Sequence, residues 1–563
     1  MILRRIALIA SFISAGMQFA DATEPLDSLF ESWRKKSGAA AAEVRYTGTF
    51  DGKIRGFMFQ RGLGSGWTYG QRISCRNAEQ NDLNHLFATF DNSSQEVGHV
   101  VKVENGRACF DEKNMLGYAC HYDTDNHTVY ILRATVEDEV CIPYDWFTRN
   151  YYNGSIKQLT SPVWAATLAR LYSELKYNYV FYNRNKAVID SAYTASLPLI
   201  IDTDNNFDAY RILERFIATC NDGHTYIYAY GIEKPTNSAF TTVKLGDKIY
   251  IDEVESSSLD SAGMKRGMEV VAVNGIPVRQ YADSLLKPYI SASTKQWAEH
   301  IMYDNYGLST GRSGMPLDLT LSNGKKNIEI KHQIAGALRD RHYESKNSLD
   351  YKTLKSNIGL LTISDFQSST VTEMFNQVYD KILKTDGLII DIRGNGGGNS
   401  GYADYIARHF SADSIRANSW SSPIYIPAFA SWGKDAGRYD SPDEYYIPPI
   451  DDKKPYLNPV VILIDRGTFS AAEDFSALFK GMKRAVFIGE PTGGSTGNGV
   501  RVQLNDFVYA NICSKHDVAP DGTEFVGIGI IPDIHTTETP ESYFSSKKDN
   551  TIKTALEVLL HKN

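Results

Sequence analysis

The stretch Leu388-Ile389-Ile390-Asp391-Ile392-Arg393-Gly394-Asn395-Gly396-Gly397-Gly398 decides the fold of this chain. Its apolar first half is typical of a strand buried on both faces, and its second half is a glycine-rich turn. A similar apolar run, residues 460–464, is followed by Asp465 and a second short turn, and helical patterns such as residues 371–382 alternate with these strands. The alternation predicts an α/β layered core, in which functional sites lie at the carboxyl ends of the strands.

The turn after the second strand, Asp465-Arg466-Gly467-Thr468-Phe469-Ser470-Ala471-Ala472-Glu473, places a serine at the start of a predicted helix. Ser470 can expose its hydroxyl there, and the next backbone N–H, that of Ala471, can face an oxyanion near the positive end of the helix. The same residues fit a capping box, with Ser470 as the N-cap and Glu473 as its partner. The two roles can coexist, so the local sequence leaves both open.

A histidine occupies a second junction, in Cys220-Asn221-Asp222-Gly223-His224-Thr225. This segment ends a helical pattern and precedes the strand-like Tyr226-Ile227-Tyr228. An imidazole that the backbone holds in place, with a pKa near neutrality, suits a general base. The chain contains twelve histidines, so His224 taken alone is a weak indication of function.

Taken together, the three motifs resemble the serine peptidases of the C-terminal-processing and tricorn-core type. In that family an Asp-Gly-His-Thr element precedes a PDZ-like domain, a strand ending in Asp-x-Arg-x-Asn-x-Gly-Gly, a Ser-Ala-(Ala/Ser)-Glu turn and Gly-Glu-x-Thr-x-Gly. This chain has the same order, with Gly489-Glu490-Pro491-Thr492-Gly493-Gly494 as the last of these elements. The family's closing motif, Gly-x-Gly-x-x-Pro-Asp, is present as Gly527-Ile528-Gly529-Ile530-Ile531-Pro532-Asp533. The resemblance covers residues 160–540 and implies a crotonase-like and Clp-protease-like α/β catalytic core.

The resemblance also implies a role for individual residues. Ser470 would be the nucleophile, and His224 would take its proton as the general base. The N–H groups of Gly396 or Gly397, together with that of Ala471, would stabilise the oxyanion of the tetrahedral intermediate.

Two subtypes of the family differ in the group that activates the serine. One uses a lysine in the loop after Gly-Glu-x-Thr, but residues 490–500 of this chain contain no lysine. The other, tricorn-like, uses the upstream histidine and an acid near the last motif, for which Glu524 is the candidate and Asp521 the alternative. The tricorn pattern has a serine directly before the histidine, whereas this chain has Gly223.

Pattern changes along the chain predict a multidomain α+β protein. The predicted parts are a signal peptide (1–22), an N-terminal β-rich accessory domain (23–155), a helical segment leading into the core (156–237), a PDZ-like β domain with an Asn274-Gly275 turn (238–340), the α/β serine peptidase core (341–545) and a C-terminal helix (546–563).

Composition limits the classes of function. The 563 residues carry a net charge of −8, which disfavours nucleic-acid binding, and 12% of them are aromatic, which excludes extensive disorder. Arg4 and Arg5 followed by the apolar residues 6–20 indicate an export signal, so we expect a periplasmic or extracellular protein without stable membrane insertion after cleavage. No metal or organic cofactor is implied, and the sequence does not fix the oligomeric state.

The sequence therefore predicts an exported serine endopeptidase that hydrolyses protein or peptide substrates through an acyl-enzyme. Two alternatives stay open: a non-catalytic peptide- or lipid-binding protein on the same fold, and an esterase-like acyl hydrolase. The presence of both Ser470 and His224 favours catalysis.

Overall fold

The computed structural model describes eight strands between residues 40 and 143 and most of the chain from residue 158 onward. In this second part the residues not described are 230–231, 338–340, 342–346, 435–436, 442–444, 451–452, 496, 546–548 and 562–563. The chain forms two compact units, one made of residues 1–158 and 230–233, the other of residues 159–229 and 234–563. The predicted signal peptide, residues 1–22, lies outside the described residues.

The first unit contains two antiparallel sheets. A five-stranded sheet has the order β1-β2-β3-β7-β6, and a three-stranded sheet has the order β4-β5-β8. The strands, numbered here and below in chain order, are β1 (Ala40–Arg45), β2 (Arg55–Leu63), β3 (Gly66–Ser74), β4 (Val100–Glu104), β5 (Arg107–Phe110), β6 (Gly117–Asp123), β7 (Thr128–Ala134) and β8 (Cys141–Pro143).

A six-stranded sheet forms the centre of the second unit. Its order is β18-β19-β20-β25-β26-β30, and all neighbours are parallel except β18 and β19. Its strands are β18 (Leu349–Thr353), β19 (Ile358–Ile363), β20 (Gly387–Asp391), β25 (Val460–Ile464), β26 (Val486–Gly489) and β30 (Ile534–His535). The two buried runs that were predicted from sequence are therefore neighbouring strands, β20 and β25.

Both faces of this sheet are covered by helices, as the continuous apolar runs require. Leu388 and Ile390 of β20 pack into a core with α7 (Thr370–Ile382), α8 (Ser400–Ala407) and α10 (Ala471–Gly481). Ile389, between them, points to the opposite face and packs with Leu559 of α12 (Asn550–His561). The period of two along the strand thus separates two cores.

An antiparallel sheet occupies residues 240–330 of the same unit. Its order is β11-β12-β13-β16-β17, with β14 paired to β13, and its core includes Ile251, Val270 and Leu319. Asn274 and Gly275 both have positive φ between β13 and β14, so the predicted turn is confirmed. The elements are β10 (Thr236–Asn237), β11 (Phe240–Leu245), β12 (Lys248–Val254), α4 (Ser257–Ser261), β13 (Glu269–Val273), β14 (Ile276–Pro277), α5 (Val278–Leu285), α6 (Lys295–Tyr303), β15 (Thr310–Gly311), β16 (Leu319–Ser322) and β17 (Asn327–Ile330).

A third sheet joins the helical segment to the end of the core. Helices α1 (Ser161–Asn178), α2 (Tyr182–Ile201) and α3 (Asn206–Ala218) lead to β9 (Tyr226–Ala229). Strand β9 pairs with β28 (Val508–Cys513), which pairs in turn with β27 (Gly499–Gln503). Strand β9 thus receives its partner from a segment almost 300 residues further along the chain.

The remaining elements are short. They are β21 (Ile415–Arg416), β22 (Ser419–Ile424), α9 (Pro427–Ser431), β23 (Gly437–Asp440), β24 (Tyr446–Ile447), β29 (His516–Val518) and α11 (Pro540–Tyr543). Among the described residues, the structure contains no helix with the length and apolar character needed to cross a membrane.

Candidate active site

Three loops meet at the carboxyl ends of the neighbouring strands β20, β25 and β26. Phe469 N donates to Asn395 O (2.9 Å), which joins the serine turn to the glycine-rich turn. Ser470 N donates to Ser495 O (3.2 Å), and Gly493 N donates to Thr468 O (2.9 Å), which joins the serine turn to the loop after β26. This is the edge at which parallel α/β sheets hold their functional sites.

Ser470 sits in a strained backbone conformation. Its φ is +58° and its ψ is −124°, a region that non-glycine residues rarely adopt and that is often found at functional sites. Helix α10 begins directly after it, at Ala471. The glycine-rich turn lies against this position, because a Cβ on Gly397 would be only 2.7 Å from Ser470 Cβ. Only a glycine leaves room for the serine turn there.

His224 lies beside the serine hydroxyl. Strand β9 begins two residues later, and His224 O accepts a hydrogen bond from Asn511 Nδ2 (2.6 Å), so β28 fixes the backbone of the histidine. His224 Nε2 lies 2.9 Å from Ser470 Oγ. Burial, and after it the positive charge of Lys515, lowers the pKa of His224 to about 4. Above that pH the ring is neutral and one of its nitrogens can accept a proton.

The other ring nitrogen faces a buried serine and a buried aspartate. His224 Nδ1 lies 2.9 Å from Ser495 Oγ, and Ser495 Oγ donates to Asp222 Oδ1 (3.3 Å). Asp222 also accepts from His224 N (2.8 Å) and Thr225 Oγ1 (3.3 Å). Burial raises the pKa of Asp222, and these donors oppose that shift. The result is a continuous row of polar groups from Ser470 through His224 and Ser495 to Asp222.

Stacked aromatic rings hold the imidazole on its face. The rings of His224 and Phe469 are nearly parallel with centroids 4.7 Å apart, and Trp297 stacks on Phe469 at 3.8 Å. Trp297 belongs to α6, whose N-cap Thr294 donates through Oγ1 to Gly493 O (2.7 Å). The first turn of α6 therefore contacts both the ring column and the loop after β26.

Glu473 links the serine turn to the loop after β26 through hydrogen bonds. Its buried carboxylate accepts hydrogen bonds from Ser470 N (3.2 Å), Gly494 N (2.7 Å), Ser495 N (2.9 Å) and Thr492 Oγ1 (2.5 Å). Burial raises the pKa of Glu473 to about 7, although all four donors favour the ionised form. The predicted capping box is present, and Ser470 Oγ lies 2.9 Å from His224 Nε2, so the capping box leaves the hydroxyl within reach of the imidazole.

The predicted oxyanion donors differ in availability. Within the described part of the chain, the N–H groups of Ala471 and Gly396 have no acceptor. Gly397 N, by contrast, donates to Asn395 Oδ1 (2.9 Å). The prediction named Gly396 or Gly397, and the structure leaves Gly396 as the available donor because the N–H of Gly397 is already used inside the turn.

The structure places the predicted acid, Glu524, away from His224. Its carboxylate pairs with His516 Nε2 (2.8 Å) at the start of β29, and it is half exposed. The alternative acid, Asp521, accepts from Thr523 N (2.9 Å) within its own turn. His224 Nδ1 has no place for either carboxylate, because Ser495 Oγ already occupies its hydrogen-bonding position.

Sequence reasoning missed Ser495 and Asp222 as members of the site. Asp222 lies two residues before His224 in the motif, and Ser495 directly follows the Gly489–Gly494 element, so both were in view. Nothing local links them, because their contact joins residues 273 positions apart. Among the described residues, no group of three or more His, Cys, Asp or Glu side chains could hold a metal ion.

Residues 357–536 match the model of peptidase family S41. This segment runs from the start of β19 to the end of β30 and includes Ser470, Glu473 and Ser495, whereas Asp222 and His224 precede it. Over this part of the chain, the sequence is therefore similar to peptidase family S41.

Among individual proteins, the chain is similar to two described as "Probable CtpA-like serine protease". It is 26% identical over 260 residues to one from Staphylococcus epidermidis, covering 43% of this chain and 47% of that protein. It is 26% identical over 232 residues to one from Staphylococcus aureus, covering 39% of this chain and 42% of that protein. The chain thus spans about half the length of the curated relatives it matches.

A solved structure of mature CPAF complexed with lactacystin has a similar fold. The TM-score is 0.57 at 16% identity, and the match covers 72% of this chain and 99% of that one. Mature CPAF without this compound gives the same TM-score and identity. At this identity the likeness concerns the fold, which is a multidomain arrangement of α and β elements as predicted.

Proposed function

We propose that this protein is an exported serine peptidase that hydrolyses peptide bonds of protein or peptide substrates through an acyl-enzyme. The observation that carries the proposal is the 2.9 Å separation of Ser470 Oγ and His224 Nε2, at a strained turn that opens helix α10. A nucleophile within hydrogen-bond reach of a base, beside unused backbone donors, is the arrangement that acyl transfer requires.

Each step has a group to perform it. Ser470 Oγ attacks the carbonyl carbon while its proton passes to His224 Nε2, which the lowered pKa keeps neutral until then. The oxyanion that forms is stabilised by the N–H groups of Ala471 and Gly396, and loss of one such donor typically costs about 100- to 1,000-fold in rate. His224 then protonates the leaving amine, and water attacks the acyl-enzyme with His224 again acting as the base.

The finer features of the proposal rest on the sequence. We assign the chain to the Ser–His, tricorn-like subtype, because residues 490–500 contain no lysine and a histidine accompanies Ser470. Residues 238–340 act as a PDZ-like domain that captures an extended peptide by strand addition. Residues 1–22 direct export, so the protein acts in the periplasm or outside the cell.

The test is active-site labelling with a fluorophosphonate probe, beside digestion of casein and of a peptide library. Wild-type mature protein should label and digest, and Ser470→Ala and His224→Ala should do neither. The matched control is Ser476→Ala, because Ser476 is a buried serine on helix α10 whose hydroxyl donates to Ala472 O (2.8 Å) of the same helix, and this variant should behave as wild type. Wild-type protein that neither labels nor cleaves any peptide would overturn the proposal, and labelling without cleavage would redirect it to an esterase-like hydrolase.

A further inference from the structure

The hydroxyl of Ser495 is buried between two polar side chains that can form hydrogen bonds with it. The residue is 1% exposed, and Glu473 holds its backbone N–H (2.9 Å). Its Oγ lies within hydrogen-bond distance of Asp222 Oδ1 and His224 Nδ1. A hydroxyl carries one proton, so it can donate to one of these two atoms while it accepts from the other.

Asp222 determines which of the two atoms accepts the hydrogen bond from Ser495 Oγ. Its Oδ1 already accepts from His224 N, and a backbone N–H can only donate, so Oδ1 acts as an acceptor. Its Oδ2 accepts from Thr225 Oγ1 (3.3 Å), so both oxygens of the carboxylate act as acceptors. Ser495 therefore donates to the carboxylate of Asp222.

The direction of this bond fixes the tautomer of the imidazole. Because the hydroxyl of Ser495 donates its hydrogen bond to Asp222, Ser495 Oγ can only accept a hydrogen bond from His224. Nδ1 of His224 therefore carries the ring proton. Nε2 is then bare and faces Ser470 Oγ, which is the state that a general base needs. The opposite tautomer would place a proton on Nε2 and could not take the proton of Ser470.

We propose that Asp222 and Ser495 are positioning residues, which set the tautomer and the orientation of His224 through one directed hydrogen-bond chain. This inference rests on the proposed function. It assigns to these two residues the role expected for Glu524 from the family resemblance, and it makes Ser495, rather than a carboxylate, the direct partner of Nδ1.

The proposal predicts how kcat responds to substitutions of Ser495 and Asp222. Ser495→Ala removes the acceptor for Nδ1–H, so kcat should fall about 100-fold, the scale of a correctly presented general base, with KM within about twofold of wild type. Ser495→Thr keeps the hydroxyl and should recover most of kcat. Asp222→Ala should resemble Ser495→Ala, whereas Asp222→Asn keeps an acceptor oxygen when its amide nitrogen faces Thr225, and it should retain more activity than Asp222→Ala.

A direct measurement of the tautomer separates this inference from the proposed function. Nitrogen-15 NMR of histidine-labelled protein should show His224 protonated at Nδ1 in wild type and protonated, at least in part, at Nε2 in Ser495→Ala and Asp222→Ala. The Ser476→Ala variant should retain the wild-type tautomer and kcat. The NMR measurement needs no substrate, so the tautomer of His224 can be determined even if the protein has no peptidase activity. Absence of activity would overturn the proposed function without deciding the tautomer. A bare Nδ1 in wild type, or wild-type kcat in Ser495→Ala, would overturn the inference.

Discussion

Replacing Gly397 with alanine tests whether the glycine-rich turn supports the serine turn by direct contact. The added Cβ would lie 2.6 Å from Phe469 O, 2.7 Å from Ser470 Cβ and 2.8 Å from Ala471 N, and all three atoms belong to the serine turn. Ordinary contact between carbon atoms is about 3.5 Å, so the two turns must separate by about 0.8 Å. The site cannot absorb this by side-chain motion, because the clash involves backbone and Cβ atoms.

The expected loss is larger in activity than in stability. Overpacking costs about 1–3 kcal/mol, and the φ of +90° at Gly397 adds about 1–2 kcal/mol for a residue with a Cβ. A displacement approaching 1 Å at a catalytic group costs about 100-fold in rate, so kcat of Gly397→Ala should fall by about that factor even where the protein stays folded. Urea unfolding and steady-state kinetics on one peptide measure the two effects separately.

A neighbouring glycine provides a matched control. Gly394 also has a positive φ, +69°, but a Cβ there meets no atom within 4 Å, so Gly394→Ala should lose stability and keep kcat. Equal losses of kcat in Gly397→Ala and Gly394→Ala would refute the contact argument, because only the first variant presses on Ser470.

Three further predictions concern charge. Because the pKa of His224 is about 4 and only its neutral form accepts a proton, kcat/KM should stay high on acidification and fall as the pH drops through about 4; a pH–rate profile with its acid limb near 6.5 would contradict this. Glu473→Gln sets an amide nitrogen against buried N–H donors and should destabilise the protein to urea by about 2–5 kcal/mol, whereas Glu557→Gln on an exposed face of α12 should change stability by less than about 0.5 kcal/mol. Arg466→Met removes the bidentate partner of the buried Asp304 carboxylate and should lower the free energy of unfolding by about 3–5 kcal/mol, measured by thermal unfolding. An unchanged melting temperature would show that the ion pair does not contribute to stability.

The elements that could be predicted are those encoded by short-range patterns. The runs at 388–390 and 460–464 are continuously apolar, which predicts buried strands, and both are fully buried in the structure. Helix α10 was expected after Ser470 because a capping box precedes an apolar segment, and it begins at Ala471. These signals lie within a few residues of one another, so one sequence was enough to find them.

The residues of the site that the sequence analysis did not predict come together through contacts between distant segments. Glu524 was chosen because it precedes a motif, but its neighbour in β29 is His516, only eight residues away, and the two side chains pair. The residue that lies beside His224 Nδ1 instead is Ser495, which is 271 residues distant in sequence and belongs to a loop that Glu473 helps to hold against the serine turn. No periodicity or spacing in the sequence encodes an encounter of this kind.

The pairing of β9 with β28 has a consequence for biosynthesis. The backbone of His224 is held by Asn511, which the ribosome adds 287 residues later and after Ser470 has been made. Contacts of such high sequence separation form late in folding, because the loop that they close must first be ordered. A nascent chain that includes Ser470 but not residues 508–513 therefore lacks the pairing that holds His224 beside Ser470. The proposed peptidase is thus expected to stay inactive on the ribosome until residues 508–513 have been made and have paired with β9.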